Sequence, residues 1–135
     1  MVKSDLWLIG ASNIAIEYLN VLEALNISST VICRSKSSSE KFYSITGKRP
    51  INGGLSDILK RSKPPQKAIV TVSVDQLYDC TKLLVENGCK HILVEKPGAL
   101  NIIELKNLMN IKKRFNTNLW IAYNRRFYQS VQLLK

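Results

Sequence analysis

One histidine and three cysteines are all the soft metal ligands in this 135-residue chain. Cys33, Cys80 and Cys89 are odd in number and fall at no metal-ligand spacing, and His91 has no ligating neighbour in the sequence. No metal site is expected. Nor is a disulfide framework, and the thiols read as free and buried, as in a reducing compartment. His91 borders an apolar run and reads as a structural or surface residue. No apolar run approaches the roughly 20 residues that cross a bilayer. Leu6–Ile9, which follows Met1-Val2-Lys3-Ser4-Asp5, is too short for the core of a secretion signal. A cytoplasmic protein is expected, with no membrane partner. Aromatic residues are sparse at 7%, and the basic clusters are not interleaved with them, so the stacking platforms of single-strand binders are missing. Nucleic acid is not the expected partner either.

What is present is positive charge: 20 basic against 10 acidic residues, a net +10. It points to an anionic ligand or a basic surface. Lys60-Arg61-Ser62-Lys63 and Lys112-Lys113-Arg114 fall near predicted helix ends, where cations are favourable in their own right. The length suits one domain with a proper core.

Short apolar runs alternate with helical patterns. Leu6–Ile9 reads as a strand stopping at Gly10. Ile14, Tyr18, Leu22 and Leu25 then recur at helical spacing, with Ala15 and Leu19 beside them. Thr30–Cys33 is the second strand, and Ser37–Glu40 supply caps for a short helix ending at Gly47. Asn52-Gly53-Gly54 is a turn before a short helix through Leu55, Ile58 and Leu59. Pro64-Pro65 leads into a third strand, Ala68–Val72. A helix over Asp75–Asn87, with Leu77, Cys80, Leu84 and Val85 inward, closes at Gly88. His91–Val94 is the fourth strand, Asn101 caps the next helix, Leu119–Ala122 is the last strand, and Phe127–Lys135 reads as helical. The strands are apolar throughout instead of alternating with polar residues. That pattern marks a parallel sheet covered by helices on both faces, an α/β, doubly wound, mostly parallel Rossmann-type fold.

The first strand-turn-helix reads Gly10-Ala11-Ser12-Asn13-Ile14-Ala15. A dinucleotide fingerprint wants glycine at positions 10 and 12, and glycine or alanine at 15. Gly10 permits the tight turn and Ala15 the close helix–strand packing. Ser12 departs from the pattern: its Cβ narrows the approach to a pyrophosphate, while its hydroxyl offers a donor. The helix start around Asn13 and Ile14 offers free amides. A plain strand-to-helix turn is the competing reading. The second strand runs into Arg34-Ser35-Lys36, with no carboxylate before Glu40. Cations at that place suit the 2′-phosphate of NADP, so NADP is favoured over NAD.

Lys96 stands between the strand Ile92–Val94 and Pro97. The residue before proline is held extended and Pro97 ends the strand. The ammonium is therefore presented at a carboxyl strand end, where open α/β sheets place ligands.

The Gly10 turn, the tripeptide Glu95-Lys96-Pro97 and the run Tyr123-Asn124-Arg125-Arg126-Phe127 occur in this order over essentially the whole chain. Together they resemble the first domain of the glucose–fructose oxidoreductase / inositol dehydrogenase / MocA (Gfo/Idh/MocA) family. The resemblance implies an NAD(P)-dependent oxidoreductase acting by hydride transfer on a hydroxyl or carbonyl of a sugar, polyol or sugar derivative. It implies that Lys96 is the catalytic residue, partly buried beside nicotinamide and substrate. Glu95 would orient the lysine or the nicotinamide ribose, Ser73 would meet the ribose side, and Arg126 would lie near the cofactor. With Gly10, Ser12, Asn13, Ile14, Arg34, Ser35 and Lys36, these complete the expected cofactor set. Residues 1–122 are read as the dinucleotide-binding domain and 123–135 as the start of a helix toward a second, substrate-binding domain outside this chain. A homo-oligomer or a partner supplying that domain is an expected association. A non-catalytic dinucleotide-binding or interaction module is the alternative.

Overall fold

The computed structural model describes Ser4 and residues 6–134. Five strands of four residues each, β1 (Leu6–Ile9), β2 (Ser29–Ile32), β3 (Lys67–Val70), β4 (His91–Val94) and β5 (Asn118–Ile121), form one sheet. All pairs are parallel and the order is β2-β1-β3-β4-β5. The helices are α1 (Asn13–Ala24), α2 (Lys36–Thr46), α3 (Gly54–Leu59), α4 (Val74–Glu86), α5 (Ile102–Arg114) and a short α6 (Gln129–Gln132). None is long and apolar enough to cross a membrane. The helix expected over 127–135 is instead a 3-10 turn at Asn124–Phe127 followed by α6. Lys135 of that expectation, like Met1–Lys3 and Asp5, lies outside the described residues.

The strands are apolar on both sides because alternate residues enter two separate cores. Trp7 and Ile9 of β1 join Val70, Ile92 and Val94 under α3 and α4, through Leu55, Ile58, Leu77, Leu84 and Val85. Leu6 and Leu8 join Val31 and Ile69 on the opposite face, under α1 and α2, through Ala15, Leu19, Leu22 and Phe42. Burial of each large side chain stabilises by about 1.5–3 kcal/mol.

Of the apolar residues read on α1, Ala15, Leu19 and Leu22 are buried and Tyr18 packs half-buried beside them. Ile14 and Leu25 are 42% and 63% exposed. Ala15 is fully buried against the sheet, as its small side chain allows. At the sheet's edge, β5 leaves Trp120 47% exposed, stacked on His91. The expectation of helices on both faces therefore holds for the middle of the sheet and fails at this edge.

Caps follow from local chemistry. Ser35, not the serines after it, caps α2, and Gly47 ends it at φ +70°. Asn101 Oδ1 accepts from Glu104 N–H (3.0 Å), and Glu104 Oε2 accepts from Leu100 N–H (2.8 Å), which holds the start of α5 from both sides. Lys112, Lys113 and Arg114 lie in the last turn of α5, where they complement its dipole.

All three thiols are free, with Cys33 and Cys89 buried and Cys80 half-buried. Burial pushes Cys80 and Cys89 up to about 11, with Asp79 adding to the effect at Cys80. A thiol whose folded pKa lies above its unfolded one stabilises below the unfolded value, and that stability is lost as pH rises through the folded value. Alkaline destabilisation on the order of 2–3 kcal/mol per thiol is expected between about pH 9 and 11. Urea midpoints at both ends of this window should fall less in Cys80→Ala than in the wild type. An unchanged pH slope in the variant would rule the thiol out.

Candidate functional site

The sheet order places β1 between β2 and β3, so the connections leaving β1 and β3 diverge to opposite sides. This is the switch point at which open α/β sheets bind ligands. A cleft of about 390 Å³ lies there, lined by Gly10–Ser12, Cys33–Ser35, the Gly53–Gly54 loop, Thr71–Ser73 and the α4 residues Gln76, Cys80 and Leu83.

Gly10 has φ +116°, and a Cβ there would lie 2.7 Å from Thr71 Oγ1 and 2.9 Å from Thr71 O. Its N–H donates to Ile32 O (2.8 Å), while Thr71 N–H and Oγ1–H both donate to Ile9 O (2.8 and 2.9 Å). These bonds tie the ends of β1, β2 and β3 into the cleft floor. Ser12 caps α1: its Oγ accepts from Ala15 N–H (3.4 Å) and donates to Thr71 O (3.3 Å). A hydroxyl has one proton, and in this arrangement Thr71 O takes it. The Asn13 and Ile14 amides, which have no carbonyl four residues back within the helix, are the donors that remain. No acid stands in the first turn of α1 to compete with an anion. Asn13 faces a shallower hollow between α1 and α2, with Ser38 and Lys41.

On the β2 side, Ser35 Oγ accepts from Ser38 N–H (3.1 Å) and is committed to capping α2, whose first turn also lacks an acid. Arg34 reaches across the cleft to α4. With its amide oxygen facing the guanidinium, as an arginine's donor-only edge requires, Gln76 accepts from Arg34 Nη1 and Nη2 at 3.1 Å each. Ser73 and, at longer range, Arg34 hold the Asp75 carboxyl below its ordinary range. Lys36 is exposed at the start of α2 and does not line the cleft.

At β4, Glu95 accepts a 2.6 Å hydrogen bond from Tyr18 Oη of α1. Burial first, and then this carboxylate, push the Tyr18 phenol well above its ordinary range. The Lys96–Pro97 peptide is cis, in a turn closed by Gly98 N–H donating to Glu95 O (2.9 Å). Gly98 approaches Ile121 of β5 so closely that a Cβ would lie 2.6 Å from Ile121 Cδ1. Lys96 itself is exposed, on a turn whose Gly98 and Ala99 are buried. Arg126 sits in the 3-10 turn with its guanidinium 4.8 Å over the Phe127 ring, and its carbonyl accepts from Gln132 Nε2. The fold thus gathers Gly10, Ser12, Arg34, Ser35 and Ser73 in one cleft, with Glu95 and Lys96 one strand beyond β3. Ile14 and Arg126 lie outside the cleft lining. Sequence reading missed Thr71, Gly53, Gly54 and Gln76. The Gly-Gly pair was the available hint: Gly54 N–H donates to Cys33 O (3.0 Å), bringing that loop against the end of β2.

A dinucleotide fits these residues: an elongated cleft at the switch point, unpaired helix amides, two helix starts without acids, and an arginine at the far wall. The model of an oxidoreductase family with an NAD-binding Rossmann fold, GFO_IDH_MocA, matches residues 6–123. No curated protein matches the chain by sequence. Among solved structures, the WlbA dehydrogenase from Chromobacterium violaceum, in complex with NADH and UDP-GlcNAcA, is 21% identical, with a TM-score of 0.81 over 98% of this chain and 39% of that one. The WlbA dehydrogenase from Bordetella pertussis is 17% identical (TM-score 0.81, 98% and 41%). UDP-N-acetylglucosamine 3-dehydrogenase GnnA from Acidithiobacillus ferrooxidans is 16% identical (TM-score 0.78, 99% and 43%). The chain spans about two fifths of the length of these proteins.

Proposed function

This chain belongs to the Gfo/Idh/MocA oxidoreductase family, and from that premise we propose that it is the dinucleotide-binding part of an NAD(P)-dependent oxidoreductase acting on a hydroxyl or carbonyl of a sugar, polyol or sugar derivative. The observation that carries the reading is the cleft at the β1/β3 switch point, with the strand end bearing Glu95-Lys96-Pro97 beside it. The relatives crystallised with NADH and a nucleotide sugar favour a sugar derivative as substrate.

In this reading the Asn13 and Ile14 amides and the α1 dipole meet the pyrophosphate, Ser73 the adenosine ribose, and Arg34 and Lys36 a 2′-phosphate, so that NADP is preferred. Ser12 and Ser35 serve indirectly, as caps that fix the two helix starts. The dinucleotide, when bound, supplies the hydride acceptor or donor. Lys96 removes or returns the proton of the substrate oxygen, or stabilises the alkoxide that develops there. Glu95, held from behind by Tyr18, orients the lysine or the nicotinamide ribose. Arg126 approaches the cofactor only if its turn repacks. Residues 1–122 form the dinucleotide-binding domain, and 123–135 lead toward a substrate domain. A second reading is a non-catalytic dinucleotide-binding module, which the same cleft would serve. Turnover separates the two.

Calorimetric titration with NADPH and NADH tests the proposal. NADPH is expected to bind more tightly, and Arg34→Ala to weaken it about tenfold while changing NADH far less. Absence of binding of either at millimolar concentration would sink the reading. A preference for NADH would overturn the NADP assignment alone.

A further inference from the structure

We infer that Gln76 is a positioning residue: it holds the Arg34 guanidinium across the adenosine end of the cleft and thereby sets how strongly the chain distinguishes a 2′-phosphorylated dinucleotide from the unphosphorylated one. The inference rests on the dinucleotide reading above and deepens it.

An arginine at an exposed strand end is ordinarily a poor fixed ligand, because its long side chain loses much rotamer freedom when it is held. Here it is held at both ends. Its backbone follows Cys33, whose carbonyl accepts from Gly54 N–H (3.0 Å), so the Gly53–Gly54 loop fixes the point from which the stem springs. Its head meets the Gln76 oxygen through both terminal nitrogens, at 3.1 Å each. The two residues belong to opposite walls: Arg34 follows β2, and Gln76 lies in the first turns of α4. The guanidinium therefore spans the mouth.

The chemistry of the partner matters as much as its position. Gln76 is neutral, so it fixes the guanidinium without cancelling its charge. Two of the five N–H groups are used, and three remain for a ligand. A carboxylate in the same place would hold the arginine equally well, but would neutralise it and repel a phosphate. Of the acids on α4, Asp75 is turned to Ser73 and also meets the Gln76 side chain, Asp79 lies beside Cys80, and among the described residues neither forms an ion pair with Arg34. An arginine kept positioned and still charged suits a dianionic monoester, and gains little from a ribose carrying only hydroxyls.

The test is a set of Kd values for NADPH and NADH, by calorimetry, for the wild type, Gln76→Ala, Gln76→Glu, Arg34→Ala and the double variant Arg34→Ala/Gln76→Ala. Gln76→Ala should weaken NADPH about threefold to tenfold, with NADH within about twofold. Gln76→Glu, nearly identical in shape, should weaken NADPH at least as much. On the Arg34→Ala background, Gln76→Ala should cost nothing further. Equal losses for both cofactors, or a loss that persists without Arg34, would mean that Gln76 touches the ligand or supports the fold directly, and the inference would fall. NADPH binding left intact in Gln76→Glu would overturn it too. If the wild type binds neither cofactor, the dinucleotide reading itself fails. If the wild type binds NADPH but Gln76 and Arg34 do not couple, only the present inference does.

Discussion

Gly10→Ala is expected to lower stability by about 2–6 kcal/mol, a large share of the roughly 5–15 kcal/mol that holds a domain of this size folded. Two costs combine. At φ +116° an L-residue is strained by about 1–3 kcal/mol, and the added Cβ meets Thr71 Oγ1 at 2.7 Å and Thr71 O at 2.9 Å. The hydroxyl can rotate away only by giving up its bond to Ile9 O. The carbonyl cannot move at all without shifting β3, since Thr71 N–H is itself bonded to β1. Overpacking of this kind costs about 1–3 kcal/mol more. Gly47→Ala provides the internal comparison: φ is also positive, at +70°, but nothing lies within 4 Å of the new Cβ. It should cost only about 1 kcal/mol. Urea denaturation of both variants decides the matter. Equal losses would mean that the contact with Thr71 relaxes freely, and the tight β1–β3 junction would lose its significance. Any surviving Gly10→Ala protein should also bind dinucleotide weakly, because the same junction aims the start of α1.

Lys96→Met carries the other large effect, on rate instead of stability. Under the proposed oxidoreductase reading, with the nucleotide sugars named for the structural neighbours as trial compounds, a turnover loss of about 10²–10⁴-fold is expected, the usual contribution of a positioned proton-transfer group. Dinucleotide affinity should stay within about threefold. Stability should change by less than about 0.5 kcal/mol, because Lys96 is exposed and makes no hydrogen bond or ion pair among the described residues. These separate readouts matter. If affinity falls as far as turnover, Lys96 binds the cofactor and moves no proton. If turnover is unchanged, Glu95-Lys96-Pro97 is only a strand terminator and another group moves the proton, whereas a wild type that binds dinucleotide without turnover would favour the binding module.

Much of the architecture was readable because it depends on short-range patterns. Each strand is a continuous apolar run, and each helix is bracketed by a capping residue or a glycine, so the order of elements and the parallel sheet follow from local propensity. The limits of that reading were local too. On α1 the close packing read for Ala15 holds and Leu19 and Leu22 are buried with it, but periodicity counts apolar residues equally and so did not show that Ile14 and Leu25 stay exposed. The hydroxyl of Ser12 looked available until β3 supplied the Thr71 carbonyl that takes its proton. The contacts Tyr18–Glu95 and Arg34–Gln76 join residues on different elements, and no spacing along the chain encodes them.

By itself, then, the sequence determined the alternation of strand and helix, the glycine turn after β1 and the placing of Lys96 at a carboxyl strand end. All three follow from backbone sterics acting over a few residues. Only the tertiary structure decided which helix amides and hydroxyls stay free, that Lys96 stands exposed, and that Gln76 fixes Arg34. Hydrogen-bond partners and burial are set by what the sheet order brings alongside, and that order is a property of the whole chain.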